Sequence, residues 1–136
     1  MAVVEKYGPI VDILVDYNPV AVYLFGSQAE GSTTPGSDID LAIVLPDDCA
    51  LPAAERLDLI ARLEELAGRR VDLIVLNRAP LPLQFEVVRT GIVLYESSND
   101  ARTDFEDRVV REYLDLEPML RRSRQEIIEE AARGVT

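Results

Sequence analysis

The chain has 136 residues, 48% of them hydrophobic, enough for one compact domain with its own core and too few for two. Its formal charge is −11, from 25 acidic residues against 14 basic ones, so its surface repels phosphate backbones and argues against direct binding of long nucleic acid. A single cysteine, Cys49, rules out an internal disulfide, and the absence of histidine removes Ser-His-Asp and Cys-His catalysis and the usual zinc ligands, leaving acid–base work to carboxylates.

Taken in chain order, residues 9–17 (PIVDILVDY) start with a proline suited to a first helical turn and place Ile10, Ile13, Leu14 and Tyr17 on one helix face. The first ten residues, MAVVEKYGPI, lack the basic region and cleavable apolar stretch of a signal peptide. No apolar run approaches the roughly 18 residues of a membrane span, so a cytoplasmic protein is expected. Residues 20–25 (VAVYLF) form a continuous β-branched and aromatic run, apolar on both faces as in a central strand, and Gly26-Ser27 ends it. A loop with Gly31, Pro35 and Gly36 carries turn chemistry, and residues 38–45 (DIDLAIVL) return to a strand pattern.

Pro52 opens a predicted helix with Leu59, Leu63 and Leu66 along one face and Gly68 as its C-cap. Residues 71–76 (VDLIVL) are a third apolar strand. A short helix is expected from Pro82 to a stop at Gly91, followed by an edge strand over residues 92–96. Residues 99–133 read as one or two charged amphipathic helices, with Phe105, Val109, Tyr113, Leu116, Leu120, Ile127 and Ala131 on a stripe and Pro118 kinking or dividing them. The order predicts an α/β (α+β) domain spanning residues 1–136, a small sheet flanked by helices, with 99–134 as a C-terminal helical segment.

Alternation along a strand points Asp38 and Asp40 to the same face, roughly 7 Å apart, with Ala42 and Val44 continuing that face into the core. Asp72 repeats the arrangement at the start of a strand that is the natural neighbour of the first two. Such an all-oxygen cluster suits a hard cation, magnesium in particular, held by a few carboxylates together with substrate phosphates. Two such ions serve in-line phosphoryl displacement. Gly26 lets backbone N–H groups approach a phosphate closely and Ser27 adds a hydroxyl donor, so the loop can hold a triphosphate while the aspartates hold its metal. Each element alone has a plainer reading: D-x-D as a solvated turn, Ser27 as a helix N-cap, Asp72 as a strand-end surface acid, Arg78 and Arg89 as ordinary surface cations.

Gly26-Ser27, ten residues, then Asp38-Ile39-Asp40 resembles the signature of the polymerase-β-like nucleotidyltransferase superfamily, with Asp72 where its third carboxylate falls. The size, residues 71–96 (VDLIVLNRAPLPLQFEVVRTGIVLYE) and the FEDRVVREYLD helix look like the minimal nucleotidyltransferase (MNT) antitoxins encoded beside HEPN-domain ribonuclease toxins. That resemblance implies a polymerase-β-like fold with a small mixed sheet. It implies that Asp38 and Asp40 bind two magnesium ions, that Asp72 completes the catalytic ion's shell and helps deprotonate the acceptor, and that Gly26 and Ser27 bind nucleotide phosphates. The implied reaction moves AMP from ATP to a tyrosine hydroxyl of the toxin, its partner in a hetero-oligomer, and silences it. Glu30 departs from the pattern, since a basic residue often stands there, and Arg78 is a candidate replacement cation. Two alternatives stay open: a catalytically weak antitoxin that neutralises its toxin by binding, and a small-molecule nucleotidyltransferase of the aminoglycoside-modifying type.

Overall fold

The computed structural model describes residues 5–26, 29 and 38–134. Helix α1 (Gly8–Leu14) carries its proline in the first turn, tightens into a 3-10 turn over Val15–Tyr17 and stops at Asn18, whose φ of 51° is left-handed. Strands β1 (Ala21–Phe25), β2 (Ile39–Val44), β3 (Val71–Val75) and β4 (Ile92–Glu96) form a four-stranded sheet in the order β3-β2-β1-β4. β1 pairs antiparallel with both β2 and β4, whereas β2 and β3 run parallel, so the sheet is mixed as expected. β1 is interior, as its two apolar faces require, and β4 is an edge. β3 is the other edge and borders β2 alone, not both earlier strands. A parallel pair needs a long crossover, and helix α2 (Ala53–Ala67) supplies it.

The sheet is covered on both sides. On one face Val22, Leu24, Leu41, Ile43 and Leu73 pack with Ile10 and Leu14 of α1 and Leu59 and Leu63 of α2. On the other, Ala21, Tyr23, Ala42 and Val44 pack with Val87 of helix α3 (Leu81–Thr90) and Phe105 and Val109 of helix α4 (Asn99–Gly134). Tyr23 is buried there and its hydroxyl donates to Glu106 Oε2 at 2.6 Å. Burial, reinforced by the Glu106 carboxylate, pushes the phenol well above its ordinary range. Glu106 also accepts from Arg102 Nη1 at 2.7 Å, and Arg102 Nε bonds Glu96 at the end of β4. This chain of polar contacts ties α4 to the central and edge strands.

Two expectations change. The buried stripe of α2 is Leu59, Ile60, Leu63 and Ala67, leaving Leu66 on its rim at 48% exposure. Two stops fall where expected: Gly68 caps α2 in the left-handed conformation (φ 70°), its N–H donating to Glu64 O at 2.9 Å, and Gly91 ends α3, in an extended conformation. α4 is a single helix with Pro118 inside it, because the carbonyl that the proline leaves unpaired belongs to exposed Leu114, where water can satisfy it. Its stripe is buried only in part. Phe105 and Val109 lie in the core, Tyr113, Leu116 and Leu120 are half-buried, and Ile127 is 65% exposed. Length explains this: 36 residues extend about 54 Å, while strands of five or six residues extend about 17–20 Å. No helix among the described residues is long and apolar enough to cross a membrane.

The two α2 leucines give a direct check on the packing. Leu63→Ala should cost about 2–5 kcal/mol in urea unfolding, whereas Leu66→Ala should change stability by no more than about 0.5 kcal/mol.

Candidate active site

The ladder of hydrogen bonds brings the acids together. In β2, Asp40 stands opposite Phe25 of β1 on one side and opposite Asp72 of β3 on the other. Residues in register share a face on strands about 4.8 Å apart, so Asp40 and Asp72 are lateral neighbours. Asp38 immediately precedes β2 and lies two positions from Asp40. Asp38 and Asp72 are exposed, Asp40 is half-buried, and the same face continues inward as Ala42 and Val44, both buried. The three carboxylates therefore sit at the open end of a strand pair whose other end is core.

Burial, then the charge of Asp72, then that of Asp38, raise the Asp40 carboxyl above its ordinary value of 3.8. Asp40 thus sits under the repulsion of its two acidic neighbours. Among the described residues no group of three acidic side chains is already gathered as a metal cage. An open set nonetheless fits magnesium, which takes one or two carboxylates and completes its shell with water and substrate phosphates. The donors are all oxygens, and mutual repulsion at Asp40 is what a divalent charge would relieve.

Gly26 follows β1 directly, with φ of 71° in the left-handed region. A Cβ built there would overlap Asp40 Oδ2, so both the backbone conformation and the closeness of the carboxylate require glycine. The N–H of Ala29 donates to Gly26 O at 3.1 Å, beginning a turn beyond the strand. Ser27 and Glu30 lie outside the described residues. Arg78 belongs to the 3-10 turn Leu76–Arg78 past the far end of β3, away from Asp72, and does not face the three acids as a replacement cation would. Arg89 pairs with Glu86 at 2.9 Å on the exposed side of α3. The close approach of Gly26 to Asp40 was not legible beforehand, because it depends on the β1–β2 register.

The raised Asp40 value carries a sign. The folded state holds this proton more tightly than the unfolded chain does, so this group's contribution to stability falls as pH rises from the unfolded value through the raised folded one. At neutral pH in metal-free buffer, Asp40→Asn should therefore melt at a higher temperature than wild type, measured by circular dichroism. A lower melting temperature would contradict the repulsion at Asp40.

The polymerase beta nucleotidyltransferase family model matches residues 9–100, which include all four strands and the three acids. The protein adenylyltransferase MntA of Shewanella oneidensis is 34% identical over 79 residues, 58% of this chain and 55% of that protein. A Methanocaldococcus jannaschii relative is 40% identical over 58 residues, 43% of this chain and 58% of that protein. These alignments thus span a little over half the length of each curated relative. Among solved structures, a toxin-antitoxin crystal structure with AMP-PNP superposes with a TM-score of 0.75 at 29% identity, covering 92% of this chain and 97% of that one. The tri-AMPylated Shewanella oneidensis HEPN toxin in complex with its MNT antitoxin matches with a TM-score of 0.72 at 26% identity, over 93% and 96% of the two chains. With the family model spanning the whole sheet and both edges of the acid cluster, this chain belongs to the polymerase beta nucleotidyltransferase family.

Proposed function

We propose that this chain is a magnesium-dependent antitoxin of the MNT type that transfers AMP from ATP to a tyrosine hydroxyl of a cognate HEPN ribonuclease toxin and so neutralises it. In this reading residues 1–136 act as one cytoplasmic nucleotidyltransferase domain, with 99–134 as its C-terminal helical segment. The observation that carries it is the alignment of Asp40 with Asp72 across β2 and β3, with Asp38 beside them and Gly26 against Asp40. The relatives named as protein adenylyltransferase and MNT antitoxin support the acceptor class.

Asp38, Asp40 and Asp72 would hold the magnesium ions. When bound, these would neutralise phosphate charge and favour attack on the α-phosphorus of ATP. Gly26 leaves the backbone at the end of β1 free of a side chain, so phosphate oxygens can lie close to it, and Ser27 supplies a hydroxyl donor next to it. Asp40, half-buried against the core, fixes the cluster's position through its strand. Asp72, exposed on the edge strand, would take the phenolic proton as the acceptor oxygen bonds to the α-phosphorus. The bond from that phosphorus to the bridging oxygen breaks in the same displacement, and pyrophosphate leaves.

Intact mass spectrometry of the protein encoded by the neighbouring gene, after incubation with this protein, magnesium and ATP, tests the reading. Wild type should add one or more AMP units, and Asp38→Asn and Asp40→Asn should each slow transfer by about 10²–10³-fold, the range for removing one preorganised electrostatic group. Transfer surviving in both variants would sink the proposal; a stable complex without mass gain would favour neutralisation by binding. Magnesium with ATP should also raise the melting temperature of wild type, and ATP with chelator should do so much less.

A further inference from the structure

The open edge of β3 borders a groove of about 380 Å³, lined by Leu51, Arg56, Ile74, Val75, Arg78 and Leu83 among others. It lies along the strand from the acid cluster: Ile74, in its lining, is the next residue on the Asp72 face of β3, about 7 Å along. Its walls are largely apolar, and the charged residues lining it are two cations, Arg56 and Arg78, with no acid among the lining residues. Arg56 Nη1 donates to the backbone carbonyl of Leu73 at 3.0 Å, and among the described residues neither Arg56 nor Arg78 has a carboxylate partner. In a chain of net charge −11, two guanidiniums without counter-charges make this edge a place where an acidic ligand is not repelled. The bond from Arg56 to Leu73 also occupies an edge carbonyl, so a visiting chain would lie between the side chains and not add as a fifth strand there.

We propose that this groove holds the segment of the acceptor protein that carries the modified hydroxyl, an extended stretch with an apolar residue against Ile74 and Leu83 and a carboxylate facing Arg78. This rests on the nucleotidyltransferase reading above, because that reading puts the acceptor oxygen at Asp72. The geometry sets the spacing. From Asp72 to Val75 is about 10 Å of strand, and the 3-10 turn to Arg78 adds up to about 6 Å. An extended peptide covers about 16 Å in roughly five residues. The acceptor should therefore carry an acidic residue about five positions from its hydroxyl.

The test uses fluorescein-labelled peptides with a central tyrosine, flanking apolar residues, and either glutamate or lysine five positions to one side or the other, titrated with the full chain. At low ionic strength one glutamate peptide should bind about 5–10-fold more tightly than its lysine counterpart by fluorescence anisotropy. Arg78→Glu should reverse that order. Arg62→Glu, the same charge change at an exposed position on α2 away from the groove, should leave the order intact. Equal affinities, no measurable binding, or the same response in both variants would overturn the proposal. So would self-association of wild type that Arg78→Glu abolishes, which would assign the groove to a second copy of this chain. Mass analysis of the bound peptide with magnesium and ATP separates the two readings: binding with the predicted charge preference but no AMP gain would count against the transferase reading alone. AMP gain without charge preference would count against the groove alone.

Discussion

Everything at the acid cluster depends on the register between β2 and β3. Pairing of Asp40 with Asp72 puts two carboxylates side by side, and a slip of β3 by one residue would turn Asp72 to the opposite face, among Leu41 and Ile43. Burial on both faces forbids such a slip, because it would send charge into one core layer and apolar side chains out of both. The parallel direction matters as well. It brings the starts of β2 and β3 to the same end of the sheet, so Asp38, Asp40 and Asp72 gather there while the strand ends run into core and connecting turns.

The cluster opposes the fold that holds it. Three acids at one strand end repel each other, and Asp40 is partly desolvated besides. The compensation lies elsewhere, in two hydrophobic layers and in polar groups that find partners. Asn77 illustrates this: its side chain donates to Leu45 O and accepts from Leu45 N, both at 2.8 Å, which pins the far end of β2 to the turn after β3. Buried Gln84 donates to Leu76 O at 2.8 Å and fixes α3 to the same turn. Side-chain hydrogen bonds thus hold together the end of the sheet opposite the acids.

Charge shapes what can approach the end that bears the acids. An acidic surface discourages free nucleic acid and any strongly acidic partner, and a nucleotide's phosphates are acceptable beside three carboxylates only when accompanied by cations. Among the chain's cations, Arg102 is held between Glu96 and Glu106, and Arg56 and Arg78 line the edge of β3. α4 adds another distinct surface, since its last turns extend past the sheet and expose Ile127 and Ile128.

Much of this was readable beforehand wherever a local pattern forces the answer. The β-branched runs dictated β1, β2 and β3, Gly68 marked the end of α2, and strand alternation placed Asp38 and Asp40 on one face, because each of these follows from backbone geometry within a few residues. The family resemblance rested on the same local spacing. What depends on distant residues stayed hidden: that β3 borders only β2, that Gly26 presses on Asp40, that Tyr23 reaches Glu106 across 83 positions, and that Leu66 lies outside the α2 stripe. The same holds for α4, where an amphipathic stripe announces which side of a helix is apolar but not how much sheet lies beneath it. By itself the sequence determined which segments are strands and helices and which face of β2 bears the acids. Only the tertiary structure decided which strands adjoin, how far each helix is covered and what stands beside Asp40, because register and packing are set by contacts between residues far apart in the chain.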